Sequence, residues 1–127
     1  MCSSDLSMFL TTGEAENSVV YYPSWWGWIG YCDPVAVGNE LLSVTIKLAE
    51  EYKFTIGGSS NSFDLKSIVL HELGHALGVA HCHEYGDPDP CWSATCNDNV
   101  MYRLFDYGEV RTTFQEYDTA SYIIIYW

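Results

Sequence analysis

The run HELGHALGVAH, residues 71–81, constrains this chain more than any other stretch, because it sets five residue types at offsets that suit one local geometry. In an α-helix, residues four apart share a face, so His71 and His75 can turn their imidazoles toward one ion. Glu72 lies one step round, where its carboxylate reaches an ion-bound water instead of the ion. Gly78 can take a left-handed backbone, end the helix and swing the chain back. His81 then enters from a different side as a third nitrogen ligand at ~2.0–2.1 Å, leaving a fourth position for water. An open fourth position is what a catalytic zinc site needs and a structural one lacks. All four histidines fall between positions 71 and 83, and His83 is the spare, an exposed loop residue on its simpler reading.

Length allows one domain with a modest core, since the chain has 127 residues. Residues 1–6 (MCSSDL) read as a non-native leading segment, which leaves 7–127 for the domain itself. The formal net charge is −12, from 5 basic and 17 acidic side chains. That balance repels nucleic acid and anionic membrane surfaces, so neither is an expected partner, and a monomer is expected. No apolar run approaches membrane-spanning length; residues 122–127 are too few.

Along the chain, residues 18–22 (SVVYY) are β-branched and aromatic and stop at Pro23, which predicts a strand. Trp25, Trp26, Trp28 and Tyr31 follow, and sheet or core packing is a commoner use of such residues than a sugar platform. Asp33-Pro34 and Gly38-Asn39 read as turns around a short strand, Val35-Ala36-Val37. Residues 40–54 are ambiguous between an amphipathic helix and a strand. Leu42, Val44, Ile46 and Leu48 alternate with polar residues, and this period of two favours a half-buried strand. Residues 57–62 (GGSSNS) read as a flexible loop, and Asp64 as the N-cap of the histidine-bearing helix. Ile68, Val69, Leu73, Ala76 and Leu77 would bury one face of that helix. Gly74 suggests room for a close neighbouring backbone, at a cost of about 1 kcal/mol relative to Ala.

With its glycine and third histidine, the motif resembles that of the metzincin clan of zinc metallopeptidases. Asn99-Val100-Met101-Tyr102 is similar to the clan's Met-turn, with Met101 twenty residues after His81. Within the clan the matrixin group (matrix metalloproteinase-like), including its shorter bacterial-type members, is the best match. Residues 64–70 (DLKSIVL) resemble its lead-in helix, and residues 114–126 (FQEYDTASYIIIY) its C-terminal helix, with Asp118 at the place of a buried aspartate. Arg103 stands where astacins and serralysins usually carry a zinc-binding Tyr, which argues against both groups. The chain departs from matrixins at Cys82, often Ser, and at Arg103, usually Pro.

The resemblance implies an α+β, zincin/metzincin-like domain. Its twisted, mostly parallel sheet would carry an edge strand, and a central zinc-binding helix and a C-terminal helix would complete it. It also implies that the domain is truncated at its N-terminus, that it is secreted, and that it hydrolyses internal peptide bonds of protein or peptide substrates. One catalytic Zn2+ would be held by His71, His75 and His81, with Glu72 as general base and Met101 beneath the histidines. Tyr102, Arg103, Leu104 and Phe105 would shape the specificity pocket. The competing readings are an inactive zinc-binding module and a metzincin peptidase of another group.

Cys32, Cys82, Cys91 and Cys96 permit three pairings, of which Cys91–Cys96 with Cys32–Cys82 is favoured. Disulfides would agree with an extracellular protein. Thiolate ligation of zinc by Cys82 competes with that pairing, but it would close the open position. Residues 86–90 (GDPDP) and 97–99 (NDN) offer clustered oxygens to Ca2+, although ordinary turns explain them more simply.

Overall fold

The computed structural model describes residues 17–24, 27–82, 98–102, 104–115, 117–120 and 122. Strands β1 (Ser18–Tyr22), β2 (Gly30–Val37) and β3 (Glu40–Ala49) form a sheet in the order β1-β3-β2. β1 runs parallel to β3 and β2 antiparallel, so among the described residues the sheet is mixed, where a mostly parallel one was expected. Two-residue strands β4 (Phe54–Thr55) and β5 (Phe63–Asp64) pair in parallel just before helix α1 (Leu65–Ala76). A mixed sheet with a helix packed on it is compatible with the expected α+β class.

The 40–54 ambiguity resolves as a strand. Val44, Ile46 and Leu48 alternate inward and are each 2% exposed, as period-two burial requires. They meet Phe63, Ile68 and Leu73, so β3, β5 and α1 share one core. A helix of twelve residues is marginal by itself in water; burial of Ile68 and Leu73, at roughly 1.5–3 kcal/mol each, is what holds α1. Val79, Val100 and Met101 form a second cluster, packed on Leu70 and Tyr117.

β2 is longer than the expected three residues, because Asp33-Pro34 lies inside it instead of turning. Pro is tolerated there because, among the described residues, β2 is at the edge of the sheet, where one row of backbone groups needs no ladder partner. Gly38-Asn39 does form the β2–β3 turn. Residues 57–62 are tied down, not loose. Gly57 N–H donates to Asp64 Oδ1 at 2.7 Å, the Thr55 and Ser62 hydroxyls lie 2.7 Å apart, and Ser59 and Ser62 bridge. At the C-terminal end, residues 117–120 are helical, so the helix starts later than position 114.

Candidate metal centre

Asp64 caps α1 as its sequence position predicts. Its Oδ2 accepts from Ser67 N at 3.1 Å and from the Ser67 hydroxyl at 2.5 Å. The other end closes on Gly78, whose φ of 87° other residues rarely adopt. Gly78 N–H donates to His75 O at 2.9 Å and Val79 N–H to Gly74 O at 3.0 Å, the paired bonds of a Schellman stop. This reversal brings His81 back to His71 and His75.

The three rings converge through their Nε2 atoms. His75 Nε2 and His81 Nε2 are 3.0 Å apart, and His81 Nε2 and His71 Nε2 are 3.2 Å apart. Two nitrogens bound tetrahedrally at ~2.0–2.1 Å would stand about 3.3–3.4 Å apart, so the spacing suits one zinc-sized ion. The ring orientations agree. His71 Nδ1 lies 2.8 Å from Val100 O, and His75 Nδ1 lies 2.9 Å from Val79 O. A carbonyl only accepts, so both Nδ1 atoms carry the hydrogen and both Nε2 lone pairs face inward. Lone pairs aimed at one point repel unless a cation sits between them. Among the described residues, His71, His75 and His81 are the one group of three or more His, Cys, Asp or Glu side chains that can hold a metal.

Burial acts on both ionisable groups at the start of the motif. It lowers His71 to about 3, with the neighbouring imidazoles adding to the effect and the Val100 carbonyl opposing it. A ring that stays neutral offers its lone pair without first losing a proton. Glu72 is raised to about 7 by the same desolvation, partly offset by a hydrogen bond from the Cys32 backbone N–H. Gly30 lets β2 come that close: a Cβ there would lie 2.9 Å from Ile68 Cγ2 and 3.1 Å from Glu72 Oε1. The Glu72 carboxylate is therefore wedged between α1 and the edge strand.

Met101 is 2% exposed and its sulfur fills the space left by Gly74, so Gly74 makes room for a side chain and not for a backbone. Asp118 holds the turn around Met101, accepting from Val100 N at 2.9 Å and Met101 N at 3.0 Å. Of the four expected pocket residues, Phe105 meets His71 edge-on, with ring centroids 5.2 Å apart. Tyr102 is half-buried and Leu104 exposed, while Arg103 lies outside the described residues.

Two contributors leave no signature in the sequence. Tyr117 donates its hydroxyl to His81 O at 3.0 Å, across 36 residues. Arg111 is buried and reaches the turn from the far side, through Asn99 O at 3.2 Å and Tyr102 O at 3.0 Å. Such distant pairs follow no spacing rule.

The expected Cys32–Cys82 pair does not form. Cys32 is a free thiol, and Cys82 takes part in a disulfide that does not involve it. Cys32 lies in β2 with its side chain packed against the core that β3 shares with α1, where it stays reduced. A disulfide-bonded sulfur cannot serve as a thiolate ligand, which removes Cys82 from the metal. Cys91–Cys96, His83 and most of the proposed calcium oxygens fall outside the described residues.

A helix carrying two inward imidazoles, a third returned by a glycine stop and a carboxylate wedged alongside make a centre that could hold one metal ion. The Matrixin family model matches residues 34–126, and the chain belongs to that family of metallopeptidases. No curated protein and no solved structure matches the chain.

Proposed function

We propose that the domain is a zinc-dependent endopeptidase, hydrolysing internal peptide bonds with Glu72 as the proton-transferring base. The observation that carries this is the buried Glu72 carboxylate, held at a backbone amide beside three converging imidazoles. A purely structural metal site has no use for it. Bound at the three Nε2 atoms, zinc would polarise the scissile carbonyl and lower the pKa of a water to about 7. Glu72 accepts the proton of the attacking water on its carboxylate and delivers it to the departing amine nitrogen. Burial raises the carboxylate's proton affinity above its ordinary range, which helps a group that must do both.

Met101, fixed by Asp118, supports the ligand-bearing helix at Gly74, and Tyr102, Arg103, Leu104 and Phe105 form the pocket beside the cut. Substrate lies extended along the outer side of β2, an edge among the described residues, adding its backbone to the sheet near Val35-Ala36-Val37. The disulfide at Cys82 supports a secreted location, because such bonds persist in oxidising compartments.

The test is zinc content measured together with cleavage of an unfolded protein substrate. We expect one zinc per chain, and cleavage that a chelator stops and added zinc restores. Glu72→Ala should keep the metal and lose about 10²–10⁴-fold in turnover. Unchanged turnover in that variant would remove Glu72 from the chemistry. A zinc-loaded wild type that cleaves nothing would leave a binding module instead.

A further inference from the structure

Arg111 has a side chain only 5% exposed, in a chain that carries few basic residues. A guanidinium taken out of water needs local partners for its donors. The loop around the Met101 turn supplies them for both Nη atoms, while the buried Nε has none among the described residues. Nη1 donates to Asn99 O at 3.2 Å and Tyr102 O at 3.0 Å; Nη2 donates to Leu104 O and to the Glu109 carboxylate at 3.4 Å. The guanidinium carbon also sits 3.7 Å from the centroid of the Phe105 ring, the same ring that meets His71 edge-on. Arg111 is itself anchored, since its backbone N–H donates to Ser67 Oγ at 2.8 Å on α1. Three carbonyls of one loop thus converge on one planar fork stacked on an aromatic face. A lysine ammonium, a single point charge, cannot reproduce that arrangement.

We propose that Arg111 is the positioning residue of the specificity pocket. It fixes the carbonyls of Asn99, Tyr102 and Leu104 and pins Phe105 against His71, and so sets which substrate side chain is admitted beside the cut. The proposal rests on the peptidase reading above, and its test separates the two.

Wild type and Arg111→Lys are compared on a peptide library, with zinc content and thermal midpoint measured on both. The Lys variant should hold one zinc and still cleave. Its discrimination between the best and poorest side chains next to the cut should fall about tenfold, mainly through KM. An identical profile, or a loss equal for every peptide, would overturn the proposal, because simple destabilisation does not choose among substrates. The second arm uses nitrogen NMR of the wild-type side chain and needs no variant. Slowly exchanging, separately resolved Arg111 Nη protons support the clamp; a freely rotating guanidinium rules it out, even if the Lys variant does not fold. Absence of cleavage by zinc-loaded wild type would count against the peptidase reading, and the NMR arm would then decide the clamp alone.

Discussion

The sulfur of Met101 occupies the space that a side chain on Gly74 would need: a Cβ there would overlap Met101 Sδ and approach Cε to 3.1 Å. Helix propensity favours Ala over Gly by about 1 kcal/mol, but overpacking a confined site costs about 1–3 kcal/mol. Met101 is 2% exposed and has little room to move, so the second effect should win. Gly74→Ala should destabilise the domain by about 1 kcal/mol. Combined with Met101→Ala it should cost less than the two single changes together. Denaturant unfolding of the four proteins measures this coupling, and strict additivity would mean that the two residues do not interact.

Asp118 accepts three backbone N–H bonds, from Val100 at 2.9 Å and from Met101 and Gln115 at 3.0 Å each. Asn offers one oxygen and turns an NH2 group toward donors, leaving at least one buried N–H unpaired. Such groups cost about 1–3 kcal/mol each. Asp118→Asn should therefore lower stability by about 2–3 kcal/mol and weaken zinc retention, since Val100 O also orients His71. Equilibrium unfolding and chelator competition would show both effects, and unchanged values in both would separate Asp118 from the metal centre.

Much of the centre was legible because its constraints are local. The i, i+4 histidines, the Asp64 cap and the Gly78 stop each follow from rules that act within one or two helical turns. Strand β3 was legible for the same reason, through the alternation of Val44, Ile46 and Leu48. The errors fell where tertiary context decides. Pro34 resembles a turn residue until β2 is known to be an edge strand, and the Cys32–Cys82 pair had no local rule behind it. Gly74 announced a close approach without naming Met101. Arg111 and Tyr117 act across loops, where sequence offers no period to read.

Metal-free stability should respond to pH in two opposed ways. His71 binds its proton in the folded state only near pH 3, whereas the unfolded ring does so near 6.5, so stability falls as pH drops through that window. Glu72 keeps its proton to about pH 7 when folded but loses it near 4.5 when unfolded, so stability falls as pH rises between those values. The two should offset each other from about pH 4.5 to 6.5, with losses on either side. In Glu72→Gln the plateau should become a rise that continues to about pH 6.5. Thermal midpoints of the chelated proteins across pH 3–8 would show this, and matching curves for both would contradict it.

Burial, with the negative charges of Glu72 and Asp33, pushes the Cys32 thiol up to about 11 from 9.0. At a given pH that leaves roughly a hundredfold less thiolate, which is the reactive form. Native Cys32 should alkylate about a hundred times more slowly at pH 8 than the unfolded chain. Peptide mapping after timed labelling would measure this. Labelling at equal rates would show an open thiol, and none after unfolding would show a disulfide.

X-ray absorption at the zinc edge of the loaded protein tests the metal assignment most directly. Three imidazole nitrogens and one oxygen, all at about 2.0–2.1 Å, are the expected first shell. A sulfur scatterer near 2.3 Å, or fewer than three imidazoles, would contradict the centre built on His71, His75 and His81.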